Sequence, residues 1–277
     1  MKAIGLLALL GSGWLTLAAP AFAGTSACDP EERHLFCSAH PISEPVCSAL
    51  QASTAAGSPQ SAIASLVAAA ATARTDFILG NRLDGSRLLA CRLLELNARE
   101  PAASVLRDGL DSVIATVSAT GRDEGALPPI ARAAILQAKV GFEPDLKHTI
   151  IVFERVATEF AAPADAVFAR SVSGLGFAHI GRFAMARAQF RKALETAIVL
   201  PERDGGDAPR FGAVQTVVQF EAEAGLWDMA DSALPHLEAA AAVIDDLPDA
   251  ERDRANMRLS VDRLRRAVER RESPARP

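Results

Sequence analysis

Between residues 163 and 200, small and aromatic side chains recur at a spacing that leaves few folds open. Gly174, Phe177, Gly181, Ala186, Phe190 and Ala193 follow one another at steps of 3, 4, 5, 4 and 3. Steps of three and four hold residues on one face of an α-helix. Gly181 divides the series and can take the left-handed backbone of a tight turn. Gly174 and Ala186 let two helices approach closely, Phe177 and Phe190 fill the space beside the crossing, and Ala193 leaves room for a further unit. Prolines and glycines extend this punctuation along the chain. Ser58-Pro59 is an N-cap followed by proline at the first helical position. Pro101, Pro129, Pro144, Pro163, Pro209 and Pro248 read as further helix starts, and Gly121, Gly141, Gly181 and Gly225 as stops or turns. The pattern predicts helices over 59–80, 85–98, 101–119, 129–140, 144–161, 163–180, 183–199, 209–224, 227–244 and 248–271. The β-branched stretch Thr149–Phe153 could pass for a strand, but Ile150, Phe153 and Val156 share a helical face. The expectation is an all-α chain.

The 163–200 spacing resembles the tetratricopeptide repeat, whose small, aromatic, glycine, small, aromatic, small signature it follows. The proline that closes that motif is displaced to Pro201. Gly225, Ala230, Leu234 and Leu237 repeat the second half of the spacing, as do Gly141, Leu146, Ile150 and Phe153. Helix-start prolines at 129, 163, 209 and 248 give steps of 34, 46 and 39 residues, the second containing the polar loop Glu202–Asp207. The likeness is specific over about forty residues and degenerate over 129–272; residues 59–120 read as helical hairpins of the same general kind. It implies an α-solenoid of antiparallel helical hairpins, with the first helix of each pair lining a concave side. Two segments depart from the pattern. Pro235 falls inside helix 227–244, where it should kink or split the helix. The charged segment 248–272, with its apolar line Met257, Val261, Leu264 and Val268, reads as a capping helix in preference to a coiled-coil dimer, for which barely two heptads are present.

The chain opens with a three-part export pattern. Lys2 supplies the positive start, Ile4–Ala19 the apolar run, and Ala21-Phe22-Ala23 the cleavage site, so residues 1–23 read as a signal peptide. A membrane anchor is disfavoured, because the run falls short of the roughly 20 apolar residues of a span and no basic stop follows. Cys28 follows Thr25-Ser26-Ala27, but the apolar run ends too early for a lipoprotein site. The mature chain should be periplasmic or secreted, with no membrane span, and organised as an irregular segment (24–58), a helical repeat domain (59–272) and a disordered tail (273–277). Its net charge of −5, or −6 once Lys2 is removed, argues against nucleic acid as the main partner.

The four cysteines, Cys28, Cys37, Cys47 and Cys91, suit two disulfides in an oxidising compartment, with three connectivities open. Cys28–Cys37 with Cys47–Cys91 is favoured, since the second bond would tie the irregular segment to a helix. An alternative is a zinc site built from His34, Cys37, His40 and Cys47, although their spacing matches no strong zinc pattern.

No nucleophile elbow, zincin helix, Walker loop or kinase signature is present. Gly174-Leu-Gly176 lacks the preceding strand and third glycine of a dinucleotide fingerprint, so packing explains it better. The histidines are scattered, and acidic pairs such as Asp123-Glu124 and Asp245-Asp246 sit at helix ends. The residues thus suggest no enzyme and no cofactor. The tetratricopeptide likeness implies a protein- or peptide-binding scaffold, with Lys139, Ser171, His179, Gln215, Gln219 and Glu223 as groove-facing positions. A metal-binding protein and a structural accessory that spaces other components are the alternatives.

Overall fold

The computed structural model of the protein describes Cys28, Cys37 and residues 44–76, 78–123, 125–202, 208–245 and 251–272, without the side chains of 244, 245 and 251–254. The expected signal peptide and tail, together with His34, His40, loop residues 203–207 and Pro248, lie outside the described residues. Those described form eleven α-helices and no strand: α1 (Glu44–Ala55), α2 (Pro59–Ala73), α3 (Leu79–Glu95), α4 (Arg99–Thr120), α5 (Leu127–Val140), α6 (Glu143–Glu159), α7 (Pro163–His179), α8 (Phe183–Ala197), α9 (Pro209–Glu223), α10 (Trp227–Asp245) and α11 (Glu251–Arg270).

Three local expectations are corrected. Residues 44–55 are helical, not irregular: Val46, Ala49, Leu50 and Ser53 form a buried stripe at helical spacing, and Glu44 favours the first turn. The helix expected over 59–80 ends at Ala73, where Asp76 accepts a bond from the Ile78 N–H at 2.9 Å and turns the chain without glycine or proline. Of the kink or split expected at Pro235, the split does not occur, since α10 runs through that residue as one helix. Ala230, Ala233, Leu237 and Ala240 are buried on both sides of that proline, and their packing offsets the lost backbone bond.

Neighbouring helices pair as α1 with α2, α3 with α4, α5 with α6, α7 with α8 and α9 with α10. The odd-numbered helices also touch in succession, from α1 on α3 through to α9 on α11. Four of the hairpins share one turn. Asn97, Gly141, Gly181 and Gly225 take left-handed φ values of 59°, 75°, 76° and 71°, at steps of 44, 40 and 44 residues. The N–H of the following residue then donates to the carbonyl five positions back: Ala98 to Leu93, Phe142 to Gln137, Arg182 to Phe177 and Leu226 to Glu221. This is the bonding of a Schellman helix end. Asn performs glycine's task at 97, because its short polar side chain tolerates the left-handed region.

The disulfides join Cys28 to Cys91 and Cys37 to Cys47, with Cα separations of 5.3 and 5.7 Å, overturning the favoured pairing. Helix geometry supplies the reason. Val46 packs on Gly85 of α3, its Cγ2 lying 3.4 Å from where a Cβ would stand. Cys47 is turned about 100° from Val46 around α1, while Cys91 lies six residues beyond Gly85, about 9 Å along α3. That offset exceeds what a disulfide spans. Buried Cys91 is left to the N-terminal segment, and Arg92 beside it donates to Ser53 Oγ at 2.9 Å, fixing α1 on α3.

Phe177, Ala186, Phe190 and Ala193 are all fully buried. A Cβ on Gly174 would stand 2.8–2.9 Å from three atoms of the Phe190 ring, and one on Gly176 would meet Ile135 Cδ1 of α5. The ring is enclosed, whereas the half-buried Ile135 tip can rotate away. Gly174→Ala should therefore lower stability by roughly 1–3 kcal/mol. Gly176→Ala should change it by less than about 1 kcal/mol, since Ile135 can swing aside and alanine's helix propensity offsets the cost that remains. Urea denaturation of both variants checks this; equal losses, or no loss at 174, would contradict the packing described.

Candidate functional site

The shared turn places equivalent residues in register. Two positions before each left-handed residue stand Glu95, Lys139, His179 and Glu223, one on each of α3, α5, α7 and α9. The first three are exposed and Glu223 is half-buried. Partial desolvation holds the Lys139 ammonium below its ordinary range. On α9 the row continues through Gln219, whose amide donates to Glu223 Oε1 at 3.0 Å, to Gln215 one turn earlier, both half-buried. Beside them Phe220 meets Phe168 of α7 edge to face, with ring centroids 6.3 Å apart, and both rings keep some exposure. Five of the six expected groove positions thus fall on the solvent-accessible part of the odd helices. Ser171 does not. It is fully buried and donates to the Val167 carbonyl of its own helix at 2.9 Å, because α5 and α9 close over the middle of α7.

The zinc alternative loses its sulfurs, since Cys37 and Cys47 are bonded to each other; His34 and His40 are outside the described residues. Among the described residues no three His, Cys, Asp or Glu side chains converge for a metal, and no helix is long and apolar enough to cross a membrane. No family model, curated protein or solved structure matches the chain.

Three acidic positions between helices carry no signal of their own in the sequence: Asp84 and Glu154 are half-buried and Glu221 is fully buried. Asp84 of α3 accepts from Arg132 of α5 at 3.0 Å and from Arg87 at 3.4 Å. Burial works to raise its carboxyl, but the guanidiniums of Arg132 and Arg87 outweigh it and hold Asp84 below the usual carboxylate range. Glu154 of α6 accepts from Arg170, Gln189 and Lys192, each at 3.1 Å, so one carboxylate joins α6, α7 and α8. Glu221 of α9 is the exception to pairing: it is fully buried, and neither carboxylate oxygen has a hydrogen-bond partner. Its place, four residues before Gly225, matches that of Phe177 before Gly181, which is the signal in the sequence that marks it as a core position.

Burial pushes the Glu221 carboxyl up to about 8, and the nearby negative charge of Asp228 adds to the shift. The folded protein therefore holds this proton more tightly than the unfolded chain does. The resulting stability is complete below the ordinary value of 4.5 and is lost as pH rises from there to about 8. The change should be on the order of several kcal/mol. Glu221→Gln should flatten the fall in melting temperature over that window; an unaltered pH profile would contradict the assignment.

Proposed function

We propose that the eleven helices form an α-solenoid of tetratricopeptide-like hairpins, and that the chain is an exported, non-enzymatic scaffold for a protein or peptide partner, working in the periplasm or outside the cell. The recurrence of one turn at Asn97, Gly141, Gly181 and Gly225, together with the unbroken succession of contacts between odd helices, carries the solenoid. Its step of 40–44 residues is longer than the tetratricopeptide step of about 34, so the likeness lies in the hairpin and its packing more than in its length.

A second recurrence supports the same arrangement. Ion pairs link each unit to the next on the even-helix side: Arg74 to Asp108 at 2.6 Å, Arg107 to Asp145 at 2.7 Å, Arg182 to Glu143 at 2.8 Å and Arg187 to Asp228 at 2.6 Å. Their sequence separations of 34, 38, 39 and 41 follow the unit length. Exposed pairs of this kind stabilise little individually, yet they fix register. Two disulfides favour an oxidising compartment, in keeping with the export pattern of residues 1–23.

Partner binding is assigned to the odd-helix face at α7 and α9. There Phe168 and Phe220 offer apolar contact, while Gln215, Gln219 and Glu223 offer hydrogen bonds, the mixture found at peptide-binding surfaces. A photo-crosslinking side chain at Gln219 should capture a discrete partner in intact cells, and the same group at exposed Ile151 on α6 should not. Capture from neither position, or equally from both, would overturn the assignment and favour a structural spacer.

A further inference from the structure

Charge is segregated along the chain. Residues 24–254 carry 21 basic and 31 acidic side chains, net −10, whereas residues 255–277 carry seven arginines and three acids, net +4. The basic surplus lies largely on α11, whose sides differ sharply. Val261, Leu264 and Val268 are buried against the rest of the protein, and Arg265 crosses to Glu238 of α10 at 2.8 Å. Leu259, Arg263, Arg266 and Arg270 follow at steps of 4, 3 and 4, so they form one stripe on the opposite side. Leu259 is 65% exposed, Arg266 and Arg270 are exposed, and Arg263 is half-buried with its Nε lacking a hydrogen-bond partner. Solubility alone would be served by either sign of charge; this stripe concentrates one sign, opposite to that of the remaining chain.

We propose that this stripe of α11 docks an acidic helical segment of a partner protein, whose carboxylates at i, i+3 and i+7 face Arg263, Arg266 and Arg270. Guanidinium groups at these spacings rise about 4.5 and 6 Å along the axis, matching carboxylates at the same steps of a second helix. Planar guanidiniums also suit bidentate carboxylate contacts, and Leu259 supplies an apolar anchor at one end. An anionic membrane is the less favoured occupant. Three arginines near such a surface contribute only about 1 kcal/mol each, and stable attachment needs a second, apolar signal. On α11 the apolar side is committed to the core, and the single exposed Leu259 falls short of such a signal. The stripe uses none of the residues assigned to the α7–α9 face, so the two assignments are tested independently.

The test uses the mature full-length chain and two fluorescent alanine-rich helical peptides of equal charge. One carries three glutamates at i, i+3 and i+7; the other has its glutamates distributed around the helix. Fluorescence anisotropy should show at least about tenfold tighter binding of the arrayed peptide, weakening as salt rises from about 0.05 to 0.3 M. Arg263→Gln/Arg266→Gln/Arg270→Gln should abolish that preference without altering secondary structure. Should this triple variant fail to fold, Arg266→Gln/Arg270→Gln, confined to exposed positions, should still reduce binding several-fold. Equal binding of both peptides, binding that survives the substitutions, or retention only on phosphatidylglycerol vesicles would each overturn the proposal.

Discussion

Between Ala166 and Ala178, helix α7 is enclosed almost completely. Twelve of the thirteen residues from Ala166 to Ala178 are buried, and the three apolar clusters of the protein meet on it: Ala166 and Ala169 join the first, Val167 the second, and Leu175, Phe177 and Ala178 the third. A helix can be surrounded in this way only if its neighbours come close, and closeness demands small side chains. Gly174 admits the Phe190 ring from α8, and Gly176 admits Ile135 from α5. With those two approaches set, α5 and α9 occupy either flank of α7 and the even-numbered helices fall on its remaining side. The order of the other hairpins follows from that centre.

Close enclosure also governs where polarity can survive. Arg170 sits in the middle of α7 with 6% of its surface exposed, and it bonds Glu154 and Thr196 on adjoining helices. A single carboxylate reached by three donors is a strongly directional contact, so Glu154 adds register to what apolar packing alone would leave slack. Glu221 occupies the same kind of interior without such donors, which makes it a source of pH dependence and not of register.

Much of this was legible in the sequence, for identifiable reasons. Gly121, Gly141, Gly181 and Gly225 were readable as helix ends because left-handed backbone is costly for most other residues, and all four have positive φ. Two further such positions carry no glycine signal, because Asn97 and Arg271 stand there instead. Helix α1 lay hidden among cysteines and prolines, although its apolar residues keep helical spacing. The cysteine pairing was misjudged because distance along the chain does not encode which side of α1 Cys47 faces. Ser171 was misplaced for a similar reason: its register position was correct, but whether that position meets solvent depends on α5 and α9. Helix type and ends are local properties, whereas pairing and exposure are decided by the neighbours.

Hydrogen exchange resolved along the chain tests the central position of α7 most directly, because amide protection reports the opening free energy of each segment. If enclosure by small residues organises the molecule, amides between Ala169 and Ala178 should be the slowest to exchange and should open only with global unfolding, while those of α1 and α11 exchange sooner through local opening. Faster exchange in α7 than in the two end helices would contradict that centre, and with it the order of packing from hairpin to hairpin.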